Sequence, residues 1–151
     1  MVVLATNLVI TSPSQLPYYS GDTLTINCVG PEASELPHII LTITTAAWDD
    51  ALVIGCKNGP TGWTQVHIQN LALTDKFSTD CSNIERDNNM MMISVTGSIE
   101  TSMSQYLMRC GQFGMTIPSY SSETTLPDEI RGRLLYEIYS LLQNVGNELT
   151  K

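Results

Sequence analysis

Apolar and polar side chains alternate with period two through much of the first 118 positions. "DTLTINCVG" sets Leu24, Ile26 and Cys28 on one face against Thr23, Thr25 and Asn27, and "YSGD" just before it is turn chemistry, which predicts a half-buried strand. "PHIILTITTAAW" is rich in β-branched residues, "ALVIGC" follows it after an Asp pair, and "KNGPTG" is dense enough in Gly, Pro and Asn to break the chain between two strands. "WTQVHIQNLAL" carries Trp63, Val66 and Ile68 among polar residues, "NNMMMISVTGS" gives a Met-rich strand, and "SQYLMRC" and "GMTIPSY" follow. About seven or more short strands separated by turn signals predict an all-β sandwich or barrel.

The period changes at about Ser119. "SYSSETTLPDEI" is polar and marked by proline, as a linker is, and beyond it Ile130, Leu134, Ile138, Leu141, Leu142, Val145 and Leu149 recur at spacings of three and four. These positions predict a helix over 127–151, with Thr125 and Asp128 as a capping box, Pro127 in the first turn, and Asp128 and Glu129 where the helix dipole favours negative charge. The expected organisation is therefore a sandwich over 1–118, a linker over 119–126 and an amphipathic helix over 127–151. Leu134, Ile138, Leu141 and Val145 follow a 4-3-4 spacing, an a/d seam. Such a stripe needs cover: either the helix folds back on its own sandwich, or it pairs with copies of itself and opens a longer coiled coil. The second is the expectation here, although Gly132 and Gly146 each cost the helix about 1 kcal/mol.

Charge narrows the partners. The chain of 151 residues has 15 Asp and Glu against 7 Lys and Arg, a formal net charge of −8. Seven scattered cations can hardly build the basic face that nucleic acid or an anionic membrane surface requires, so neither is expected as a partner. No run approaches the roughly 20 apolar residues of a membrane span, and the apolar start "MVVLATNLVI" lacks the basic region and cleavage site of a signal peptide. No G-x-S-x-G, H-E-x-x-H, P-loop or G-x-G-x-x-G motif occurs, so neither catalysis nor a cofactor is expected. The adjacent Asp49 and Asp50 have no spaced partners for calcium and fit a turn cap better. His67, between Val66 and Ile68, is expected at the surface, and alternate residues of Met90–Met92 in the core. No N-x-S/T sequon is present.

The four cysteines, Cys28, Cys56, Cys81 and Cys110, are widely spaced, with no C-x-x-C pair and with His38 and His67 far from them in sequence, which argues against a metal site. Two disulfides in a secreted domain and four free thiols in a reducing compartment are the alternatives, the first favoured. Cys28 ends the triplet Leu24, Ile26, Cys28 and Cys110 ends Tyr106, Met108, Cys110, so both side chains point into a sandwich core, and a bridge between them would pin two sheets.

That arrangement resembles the B-to-F disulfide of the immunoglobulin fold over residues 8–118 and implies an immunoglobulin-like antiparallel sandwich followed by a C-terminal α-helix. The sequence departs from that pattern where a strand-C tryptophan is usual and Ile39, Ile40, Leu41 and Ile43 stand instead, with Trp48 late. At the tyrosine-corner position it has Met108, with Tyr106 two residues further back. The long Cys28–Cys110 interval implies an extra loop between Trp48 and Met90, which Cys56 and Cys81 would close. An immunoglobulin-like region followed by a helix, together with "MMMISVTGSIETSMSQYLMRCGQF", is similar to the N-terminal part of invertebrate fibrinogen-related proteins, secreted immune lectins. The resemblance implies an extracellular recognition or adhesion domain that binds a protein or glycan through its sandwich-end loops or a sheet face, in innate immunity. A receptor ectodomain, a viral immunoglobulin-like protein and a structural module that presents its helix for assembly are the alternatives.

Overall fold

The computed structural model describes residues 6–32, 37–45, 48, 51–68, 76–114 and 119–149, the side chains of 67–68 and 133–136 excepted. The strands come in the order β1 (Asn7–Ser12), β2 (Tyr18–Tyr19), β3 (Thr23–Pro31), β4 (His38–Thr44), β5 (Leu52–Gly59), β6 (Gly62–Ile68), β7 (Phe77–Thr79), β8 (Glu85–Asp87), β9 (Met90–Ser98), β10 (Leu107–Phe113), β11 (Ser119–Tyr120), β12 (Thr124–Thr125) and β13 (Ile130–Arg131). The helix α1 (Arg133–Leu149) follows.

Alternation places the strands in two layers. Leu24, Ile26 and Cys28 of β3 and Met91, Ile93 and Val95 of β9 are buried on the inner face of one sheet, ordered β1-β3-β9-β7 with β8 also on β9. Ile39, Leu41 and Ile43 of β4, Leu52, Ile54 and Cys56 of β5, and Met108 and Cys110 of β10 face them from the second sheet. The second sheet is ordered β11-β10-β4-β5-β6, with β12 also on β10. Every pairing within these two sheets is antiparallel. Two antiparallel sheets packed face to face, followed by a C-terminal helix, make the all-β sandwich that the alternation predicts. Short turns close its hairpins: Asn88 and Asn89, with φ of 50° and 63°, link β8 to β9 as a two-residue loop of the kind that demands positive φ.

Cys28 and Cys110 are bridged across the core with Cα atoms 5.5 Å apart, and Cys56 is bridged to Cys81 at 5.7 Å. Cys110 pairs with Leu41 on the neighbouring strand, so Leu41 lies in the core beside the bridge. Cys81 sits in a turn closed by Asp80, whose carboxylate accepts from the Ser82 hydroxyl at 2.6 Å and backbone amide at 3.0 Å and from the Asn83 side-chain amide. These bonds hold the Asp80 carboxyl below its ordinary pKa.

Residues 119–126 are not a linker. Tyr120 pairs with Gly111 and Thr125 with Leu107, and at the break between β11 and β12 the Ser121 hydroxyl accepts the Cys110 amide at 2.9 Å while the Ser121 amide donates to the Cys110 carbonyl. The helix likewise begins at Arg133 rather than 127. Leu126 and Ile130 are 1% and 4% exposed, so Ile130 belongs to the sandwich core and not to the helix stripe. Pairing overrides the capping signals: β13 lies parallel to β2, and Asp128, in place of capping a helix, accepts from the Gln105 side chain at 3.2 Å. Burial of two large apolar side chains, about 1.5–3 kcal/mol each, outweighs a cap of about 1 kcal/mol.

One buried polar group ties both sheets together. Gln112 on β10 is fully buried; its Oε1 accepts from the Thr6 hydroxyl at 2.9 Å and its Nε2 donates to the Pro31 carbonyl at 2.8 Å. Gly30 leaves the space for this amide, since a Cβ there would stand 2.2 Å from Gln112 Oε1. Gly30→Ala is expected to cost about 1–3 kcal/mol by displacing the amide and stranding its partners. In urea unfolding, adding Gln112→Ala should then cost less than Gln112→Ala costs alone, because the alanine methyl gains room.

Candidate recognition face

With Met108, Cys110 and Gln112 of β10 turned inward, Leu107, Arg109, Gly111 and Phe113 turn outward. Register carries the same face across the sheet to His38, Ile40, Thr42 and Thr44 of β4, Val53, Gly55 and Lys57 of β5, Thr64 and Val66 of β6, and Tyr120 of β11. An antiparallel sheet with one face in the core usually turns a polar face to water. This one does not: His38, Ile40, Val53, Val66 and Phe113 line an almost wholly apolar hollow of about 320 Å³.

Beside the hollow, three rings and a guanidinium adjoin one another. The Arg109 guanidinium carbon lies 4.0 Å from the Trp48 ring centroid and 4.1 Å from that of Tyr120, a cation–π contact with each ring. Tyr120 in turn meets Phe113 edge-on, centroids 5.3 Å apart at 79°. Gly111 permits that closure, because a Cβ there would reach 3.0 Å from the Phe113 ring and 3.1 Å from Tyr120. Arg109 Nε and His38 Nδ1 are both buried without a hydrogen-bond partner.

Charge is segregated as well. The outward positions of these strands hold Lys57, Arg109 and His38 and, among the described residues, neither Asp nor Glu, on a chain with 15 acidic and 7 basic residues. A second hollow, of about 350 Å³ over β8 and β9, is lined by Met90, Met92 and Val29 but also by Glu85, Arg86 and Asp87, and Arg86 is already paired with Glu32 at 3.0 Å.

The positions singled out from the sequence are distributed differently. The four cysteines are spent on the two bridges. On α1, Ile138, Leu141 and Leu149 are 45%, 65% and 81% exposed, with Leu142 and Val145 exposed beside them. The side chains of Leu134 and His67, and all of Asp49 and Asp50, lie outside the described residues. Met91 is in the core, while Met90 and Met92 are half-buried on the opposite side of β9. Among the described residues no group of three or more His, Cys, Asp or Glu is placed to hold a metal ion, and no helix is long and apolar enough to cross a membrane. Sequence reading missed the stack because its members come from β10, β11 and the segment after β4; the one local sign was a lone arginine among apolar residues in "YLMRCGQF". No protein-family model matches the chain, and no curated protein matches it.

Proposed function

We propose that the chain is an extracellular recognition domain that grips a protein partner through the outer face of the β11-β10-β4-β5-β6 sheet. The observation that carries this reading is the apolar hollow set beside a ring-stacked guanidinium on a face that carries no acid among its described outward residues. Aromatic rings, arginine and desolvated apolar pockets are the materials of interface hot spots. Two disulfides fit an oxidising compartment, and the resemblance to invertebrate fibrinogen-related proteins fits a part in immune recognition. Arrays of extracellular proteins and of glycans, probed with the full chain and with Val66→Arg, test it. Protein hits weakened at least about tenfold by Val66→Arg are expected, as a central contact is removed. Hits confined to glycans, or hits that survive Val66→Arg and vanish on changing Pro60 and Thr61 in the β5–β6 turn, would move the function to another ligand class or to the sandwich end.

The bare stripe of α1 favours a second role, gathering copies of the domain so that weak contacts add through effective concentration. Ile138, Leu141, Leu142, Val145 and Leu149 share one face, and the opposite face from Glu137 to Asn147 is neutral or acidic, which suits a partner helix better than an anionic bilayer. About two heptads make a marginal seam, so a mass that rises with concentration in light scattering is the expected result. Leu141→Asp should hold the chain monomeric throughout. A wild-type monomer at every concentration, or an oligomer that survives the aspartate, would remove α1 as the assembly element.

A further inference from the structure

Resting on the outer sheet face being the recognition surface, we propose that its partner is an acidic protein segment whose Asp or Glu carboxylate forks onto Arg109 while a large apolar side chain two to four residues away fills the neighbouring hollow. Lys76, Arg86 and Arg131 each have a carboxylate within the chain, on Glu100, Glu32 and Glu129. No described carboxylate forms an ion pair with Arg109, and its Nε is buried without a hydrogen-bond partner among the described residues. The Trp48 and Tyr120 rings stand 4.0 and 4.1 Å from its guanidinium carbon, and its N–H groups lie in the plane of the guanidinium, the direction from which a carboxylate binds with two parallel hydrogen bonds. The stack also holds the side chain in place before a ligand arrives, which lowers the ordering cost of binding.

The remaining features fix the rest of the ligand. Ile40 stands in the register row of Gly111 and His38 in that of Phe113, so the hollow lies one to two residue pairs along β10 from Arg109, about 7–13 Å. An extended segment spans that distance in two to four residues. The lining offers a sugar little to hydrogen-bond, and one face each of Trp48 and Tyr120 is taken by Arg109. A phosphate would draw a second cation, whereas Lys57 stands in the row of His38, at the far end of the hollow. A single carboxylate beside an apolar side chain fits both constraints.

Selection of a random-peptide display library on the full chain, followed by affinity measurements on the enriched peptides, tests the proposal. Expected are sequences with Asp or Glu two to four residues from Leu, Ile, Phe or Trp. Their affinity should fall at least about tenfold with Asp→Asn or Glu→Gln in the peptide, and equally with Arg109→Lys, which keeps the charge but loses the planar fork. Lys57→Gln should change it less than about twofold, as an exposed charge does. A melting temperature close to wild type shows that Arg109→Lys folds. Peptides that need Val66 but neither an acid nor Arg109 would overturn the carboxylate and leave the recognition face standing. Peptides indifferent to Val66→Arg, or no enrichment at all, would overturn both. A dimer of the chain dissociated by Val66→Arg, or an oligoglucuronate that binds through Arg109 where no peptide does, would assign the face to another occupant and overturn the peptide.

Discussion

Replacing Cys28 and Cys110 together by alanine lowers the unfolding free energy by about 4–5 kcal/mol, and replacing Cys56 and Cys81 lowers it by about 3–4 kcal/mol. The difference follows from the chain each bridge encloses: sequence separations of 82 and 25. A longer loop removes more conformations from the unfolded chain, and its entropy grows only as the logarithm of length, so a threefold longer loop gains about 1 kcal/mol. Cys28 and Cys110 are also fully buried between the sheets, where trimming to alanine leaves a void beside Leu41, whereas Cys81 is only partly buried. Urea unfolding of the two double variants measures both values. A larger loss from the Cys56–Cys81 pair would contradict the placement of the Cys28–Cys110 bridge as the main staple of the core.

Ending the chain after Ser122 leaves it largely unfolded at 25 °C, whereas ending it after Gly132 changes its stability by less than about 0.5 kcal/mol. The shorter chain loses β12 and β13 and with them Leu126 and Ile130, both part of the one hydrophobic core. It also loses the bonds from the Leu126 amide to the Tyr106 carbonyl and from the Ser20 amide to the Arg131 carbonyl, each 2.8 Å. Losing a buried Leu or Ile costs about 2–5 kcal/mol, and two of them approach the whole stability of a domain, about 5–15 kcal/mol. The chain ending at Gly132 loses only α1, whose apolar residues from Ile138 onward are exposed. Circular-dichroism melting of the two chains separates these cases. A cooperative transition near the wild-type temperature for the chain ending at Ser122 would return residues 119–131 to the role of a linker.

Where one face of a strand is buried and the other wet, period-two alternation is plain to read, and the central strands β3 and β9 and the inward placement of Cys28 and Cys110 were legible for that reason. β4 is different: its inward residues Ile39, Leu41 and Ile43 alternate with His38, Ile40 and Thr42 on an outer face that is itself sheltered, so "HIILTIT" reads as one apolar run and hides the recognition surface. Ile130 stands four residues before Leu134, a helical spacing that arises where a core strand happens to precede a helix, and local capping signals at Thr125 and Asp128 reinforced it. β7 and β8, three residues each, are too short to show a period. The stack could not be read at all, because Trp48, Arg109 and Tyr120 meet only through the pairing of β10 with its neighbours.

The outer face is tested most directly by backbone and methyl chemical-shift changes on binding a peptide or protein recovered in the selections above. Binding there shifts Val53, Val66, Arg109, Gly111 and Phe113 together, with the Trp48 indole, and leaves the turns at Pro60–Thr61, Asp80–Asn83 and Asn88–Asn89 unmoved. Shifts gathered in those turns, with the outer-face strands silent, would contradict it.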